Sequence, residues 1–125
     1  MDVSDWLRDR GLPDAAIEEL IPLLPDAIPE YSVSWFYTAE YIMDPDRWFH
    51  CPGQSRFVFV GQCPDGSAIA IDSQITPGAV FYVSTNAIES DPASGEFTVR
   101  VADSPADFAA RSQQDDFPMD YYDAI

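Results

Sequence analysis

The chain contains no lysine, one histidine and two cysteines. Each shortage closes off a class of chemistry. Without lysine there is no phosphate-cradling Gly-x-x-x-x-Gly-Lys loop, and no Gly-x-Gly-x-x-Gly run occurs either. Any histidine-based triad would have to use His50, and its neighbour Cys51 sits in no nucleophile motif. Gly53-Gln54-Ser55 lacks the downstream glycine of a nucleophile elbow. Two cysteines are too few for a disulfide framework. Cys51 and Cys63 flank one expected strand, so a bridge across its ends is conceivable, but reduced thiols suit a cytosolic protein better. Together with His50 they supply three ligands, where structural zinc takes four in paired spacings. Asp44 and Asp46 lack the alternating ligands and distal Glu of a calcium loop. No metal or cofactor is expected. No run of ~20 apolar residues exists, so no transmembrane helix is expected. The opening MDVSDWLRDRG has neither a basic segment nor an apolar stretch, which argues against a secretory signal. The expectation is a cytoplasmic protein.

What is abundant is acid. Twenty-two Asp and Glu face six Arg, for a net charge of −16, and Asp outnumbers Glu sixteen to six. Phosphate backbones demand Lys and Arg, so nucleic acid is excluded as a partner. An anionic membrane surface is excluded on the same ground. A basic protein partner fits, since opposite charge raises the association rate. A high-salt habitat or a biased genome would also produce an Asp-rich, Lys-free chain, and both origins stay open.

The 125 residues suit one domain, 1–125, and 46% hydrophobic residues are enough for one core. Ser4 is placed to cap a first helix over Asp5–Arg10, stopped by Gly11. A second helix opens at Leu12-Pro13-Asp14. It carries Ile17, Leu20, Ile21 and Leu24 on one face and is ended or kinked by Pro22. Tyr31–Tyr37 alternates like a half-buried strand, and Thr38 is placed to cap a short helix over Ala39–Met43. Asp44–Ser55 reads as an ordered aromatic loop. Arg56–Gln62, Ser67–Asp72 and Ala79–Thr85 read as three strands joined by Pro64-Asp65-Gly66 and Thr76-Pro77-Gly78. Their apolar residues fall on both parities, which implies burial on both faces. After a polar loop over Asn86–Gly95, Glu96–Ala102 alternates with Phe97, Val99 and Val101 on one side. Ser104-Pro105 with Asp107 starts a helix over Pro105–Gln113, and Phe108 would dock it. The expected class is α+β: a mostly antiparallel sheet of about five strands, flanked by N-terminal helices and a C-terminal helix.

The run from Arg56 to Thr85 resembles the core of the SUKH superfamily, the SMI1/KNR4-like proteins. Phe57–Gly61 matches its apolar strand ending in Gly and Asp65-Gly66 its loop. Ile69–Asp72 matches the strand ending in Asp, and Gly78–Val83 the strand that follows. Leu24-Pro25 and Phe108 occupy places the family fills similarly; its Asn-Gly-Gly-like segment is absent between Pro29 and Trp48. The resemblance implies a protein-binding domain without catalysis, most concretely an immunity protein that neutralises a toxin, such as a nuclease. The alternatives are an SMI1/KNR4-like regulatory or scaffold protein and, from another class, a small hydrolase using carboxylates or His50 with Cys51.

Two segments carry the binding expectation. The first is the loop with Asp44, Asp46 and Trp48. The second is the acidic-aromatic tail 115–125, with Asp115, Asp116, Asp120, Tyr121, Tyr122 and Asp123. Aromatic residues among charges suit the centre and rim of an interface. The competing reading has Trp48 and Phe49 plugging the core, and the tail aromatics packing on their own domain while the acids face water.

Overall fold

Two chain reversals, at Pro64-Asp65-Gly66 and Thr76-Pro77-Gly78, organise the sheet. The structure is a computed structural model and describes residues 2–27, 35–44, 56–84 and 97–125. Five strands pair in chain order, antiparallel throughout: β1 Trp35–Phe36, β2 Phe57–Gln62, β3 Ala68–Asp72, β4 Val80–Val83 and β5 Thr98–Ala102. The helices are α1 Val3–Asp9, α2 Asp14–Leu20 with a 3-10 turn at Ile21–Leu23, α3 Ala39–Met43, α4 Pro105–Arg111 and α5 Tyr121–Ala124. The class is α+β, as the patterning implied.

Local chemistry explains both reversals. In the first, Gly66 takes φ 91° and the Ser67 N–H donates to Asp65 Oδ1 at 2.8 Å, an Asx turn. In the second, Gly78 takes φ +94°, and a Cβ there would stand 3.5 Å from the Ala16 Cβ. That separation is an ordinary contact, so it is the left-handed backbone of the turn, and not the approach of α2, that calls for glycine. The central strands are buried on both faces: every residue of β3 and β4 is buried, and only Gln62 of β2 is not. Cross-strand register sets which face each side chain joins. Tyr82 lies beside Ile69 and Val99, while Phe81 lies beside Ala70 on the opposite face and meets Phe57 with ring centroids 5.2 Å apart. The Tyr82 face receives α4. Phe108 packs edge-to-face on Tyr82 at 6.2 Å and on Phe36 of β1 at 5.6 Å. The Ala106 N–H donates to Glu19 Oε1 at 2.9 Å, tying α2 to α4.

Several expectations hold to the residue. Thr38 Oγ1 accepts from Tyr41 N–H over a helix at Ala39–Met43. Ser104 caps α4 by accepting from Asp107 N–H, and Pro105 occupies its first turn. Pro22 marks the change from α2 to the 3-10 turn, as its missing N–H requires.

Others need correction. Asp2, not Ser4, caps the first helix. Its carboxylate accepts from Ser4 N–H at 2.6 Å, and the helix begins two residues earlier than the Ser4 reading placed it. Phe97 does not continue the inward row of Val99 and Val101. It stands before β5 with φ 60° and 40% exposure, because its left-handed backbone breaks the strand alternation. Helix α4 ends at Arg111, not Gln113, and the tail adds the unexpected α5. The first strand is confined to Trp35–Phe36, and Tyr31–Ser34 lie outside the described residues.

Candidate functional site

The C-terminal segment is folded back by backbone chemistry before any side chain contributes. Gln114 N–H donates to Arg111 O and Phe117 N–H to Gln114 O, two successive turns that return the chain over α4. Phe117 then packs on Phe108 at 5.6 Å and on Tyr82 at 6.5 Å, both edge-to-face. The Tyr82 hydroxyl donates to Pro118 O at 2.7 Å, fastening the segment to the middle of the sheet. Burial, followed by the nearby charges of Cys63, Asp120 and Asp123, pushes the Tyr82 phenol up, so it remains a protonated donor at any ordinary pH. Tyr82→Phe is expected to cost about 1–2 kcal/mol, since Pro118 O loses its donor. Hydrogen exchange checks this: amides of residues 117–124 should lose protection while those of β3 keep theirs.

The tail acids divide into two kinds. Asp120 accepts from Asp123 N–H at 2.8 Å as the N-cap of α5, and Asp123 Oδ2 accepts from Met119 N–H at 3.1 Å. These two carboxylates hold the short helix together. Asp115 and Asp116 are exposed and make no side-chain hydrogen bond or ion pair among the described residues. The aromatics divide as well. Tyr121 is 9% exposed and belongs to the core, so its ring is committed to the fold, whereas Tyr122 is 57% exposed. Asp44 is exposed at the C-cap of α3; Asp46, Trp48, His50 and Cys51 lie outside the described residues.

Between α4 and the returning segment runs an open cleft of about 400 Å³. Its deep members are the buried rings of Tyr82 and Phe108, with half-buried Phe36 and Phe117 beside them. Exposed Ser112, Gln114 and Asp115 form one lip, and Pro118 and Met119 complete the lining. No sequence motif announces this cleft. Its walls come from four stretches of chain, and the one available signal was Phe108 facing inward from α4.

A second cluster is buried and ionic. Asp72, 0% exposed at the end of β3, accepts from the N–H groups of Gln74, Ile75 and Thr76, from Thr76 Oγ1, and from Arg56 Nη2 at 3.3 Å. Burial pushes its carboxyl up. The hydrogen bonds from Gln74, Thr76 and Arg56 together outweigh that and hold it far below the usual carboxylate range. Arg56 lies over the rings of Phe57 and Phe81 at 4.5 and 5.5 Å. A strongly shifted carboxylate often marks catalysis, but every partner of Asp72 is a neighbouring group of its own fold. Among the described residues no three His, Cys, Asp or Glu side chains gather to hold a metal ion, and no helix is long and apolar enough to cross a membrane.

No protein-family model, no curated protein and no solved structure matches the chain.

Proposed function

We propose that the chain is a non-catalytic, cytoplasmic protein-binding domain that neutralises a basic toxin domain, such as a nuclease, by direct contact. The observation that carries this reading is the C-terminal face. Asp115 and Asp116 stand exposed, Asp115 shares the cleft lining with exposed Met119, and Tyr122 of the same segment is exposed as well, on a chain of net charge −16. Acids that face water without arginine partners remain available to a cation on another protein. Among the described residues, Arg8, Arg56, Arg100 and Arg111 pair with Asp5 and Asp14, Asp72, Asp103 and Asp107, and Arg10 lies over the Trp6 ring. The hairpin run that resembles SUKH proteins supports the same reading, with Asp65-Gly66 in its turn and Asp72 closing its strand. Neutralisation would be steric and electrostatic: the acidic face covers a basic active cleft, and nothing turns over.

Co-expression with the product of the adjacent gene tests this. The expected result is a co-purifying complex that protects cells from that product. Its association rate should fall by about tenfold or more as salt rises, because the Debye length shortens from ~10 Å at 0.1 M to ~3 Å at 1 M. No co-purification and no protection would end the immunity reading.

A further inference from the structure

We infer that the cleft between α4 and the C-terminal segment receives an apolar side chain of a protein partner, carried between arginine or lysine residues that meet Asp115 and Asp116. The inference rests on the protein-binding reading and specifies what that partner must present.

The depth of the cleft argues for an apolar occupant. Phe36, Phe108, Phe117 and Tyr82 meet one another edge-to-face and form an interlocked aromatic wall. The polar atom at that depth, the Tyr82 hydroxyl, is already donating to Pro118 O. The other polar side chains of the lining, Ser112, Gln114 and Asp115, stand at the exposed lip and not beside that hydroxyl, whereas a small polar ligand needs a few convergent donors and acceptors. The volume of about 400 Å³ accommodates a large side chain with its flanking backbone. A pocket that desolvates one anchor residue is the usual centre of a binding hot spot.

The lip argues for cations. Asp115 lines the cleft and Asp116 follows it, both exposed. The base nearest in sequence, Arg111, is held by Asp107 at 3.0 Å and does not neutralise them. Asp103 N–H and Arg111 in turn keep the Asp107 carboxyl below its usual range, so this pair persists across ordinary pH. An arginine beside the anchor would reach Asp115 with two parallel hydrogen bonds while its stem covers the Met119 side of the cleft. Floor and lip then divide the work: charge sets the rate of encounter, and the buried anchor sets the lifetime.

The test uses the full chain carrying a ¹³C-methyl label on methionine, and a capped heptapeptide, Gly-Ser-Arg-Phe-Arg-Ser-Gly, as probe. Saturable shifts are expected at the Met119 methyl and the Phe117 amide. Replacing the peptide phenylalanine with serine should weaken binding by about tenfold or more. Replacing both arginines with glutamate should abolish it. Ser112→Trp, made at an exposed position of the lip, should fill the cleft and remove the shifts while the urea midpoint stays unchanged. Asp115→Asn with Asp116→Asn should weaken binding several-fold without touching the fold. Affinity that ignores the phenylalanine, or that survives Ser112→Trp, would overturn the inference by showing attraction to the overall charge alone. A response at another surface, or none at about 10 mM peptide, would do the same, since that concentration exceeds any useful anchor affinity. The two readings fail separately. A toxin complex indifferent to Ser112→Trp removes the cleft and keeps immunity; peptide binding without any toxin partner removes immunity and keeps the cleft.

Discussion

Replacing Asp72 by alanine is expected to remove about 3–5 kcal/mol of stability, the usual consequence of leaving one member of a buried ion pair alone. The Arg56 guanidinium would stay buried over Phe57 and Phe81 without its carboxylate. Three backbone N–H groups, those of Gln74, Ile75 and Thr76, would lose their acceptor in the turn that connects β3 to β4. Most domains hold about 5–15 kcal/mol in total, so this variant stands near unfolding at room temperature. Should it fail to fold, Asp72→Asn gives a measurable intermediate, since one amide oxygen still accepts from Gln74 and Ile75. Arg56→Met should cost less, about 1–3 kcal/mol, because Asp72 keeps its four local donors. Urea midpoints check the order. Equal losses at the two positions would mean that the ion pair, and not the turn, carries the energy.

The pH dependence follows from the same bonds. The folded carboxyl of Asp72 is held below its unfolded value, about 3.9. Its contribution is therefore complete above that value and is lost as pH falls through the folded one. The difference in urea midpoint between the parent protein and Asp72→Asn should be flat from about pH 5 to 8 and shrink below about pH 4. A difference that instead grew on acidification would contradict the assignment.

The second large effect is Phe108→Ala, expected at about 3–5 kcal/mol for a buried aromatic whose cavity cannot fully collapse. Phe108 is 4% exposed and touches Phe36, Tyr82 and Phe117, from β1, β4 and the C-terminal segment. Removing it loosens three pieces of chain that no backbone ladder joins to α4. Phe108→Leu keeps most of the volume and should cost about 1 kcal/mol. Limited proteolysis separates the two: residues 113–119 should be cut readily in Phe108→Ala and remain protected in Phe108→Leu.

Legibility in the sequence tracked the range of the interaction. Ser104, Thr38 and Asp65 act on groups two or three residues away, and each did what its position implied. The two-sided burial of β2, β3 and β4 was legible because continuous apolarity admits few other arrangements. The sequence pattern puts Ser4 at the first cap where Asp2 holds that place, because both are competent capping residues and stand only two residues apart. Phe97 was misplaced because alternation describes side-chain pattern, whereas its outward position follows from a single left-handed backbone angle.

By itself, then, the sequence determined the α+β class, the two hairpin turns, the caps of α3 and α4 and a net charge of −16. These follow from contacts within a few residues or from composition. The tertiary structure alone decided which tail acids cap α5 and which stand exposed, that Tyr121 enters the core while Tyr122 does not, and that four distant rings enclose a cleft. Those outcomes depend on where Pro118 meets Tyr82 and where Phe117 meets Phe108, contacts whose partners are far apart in the chain and leave no periodic trace.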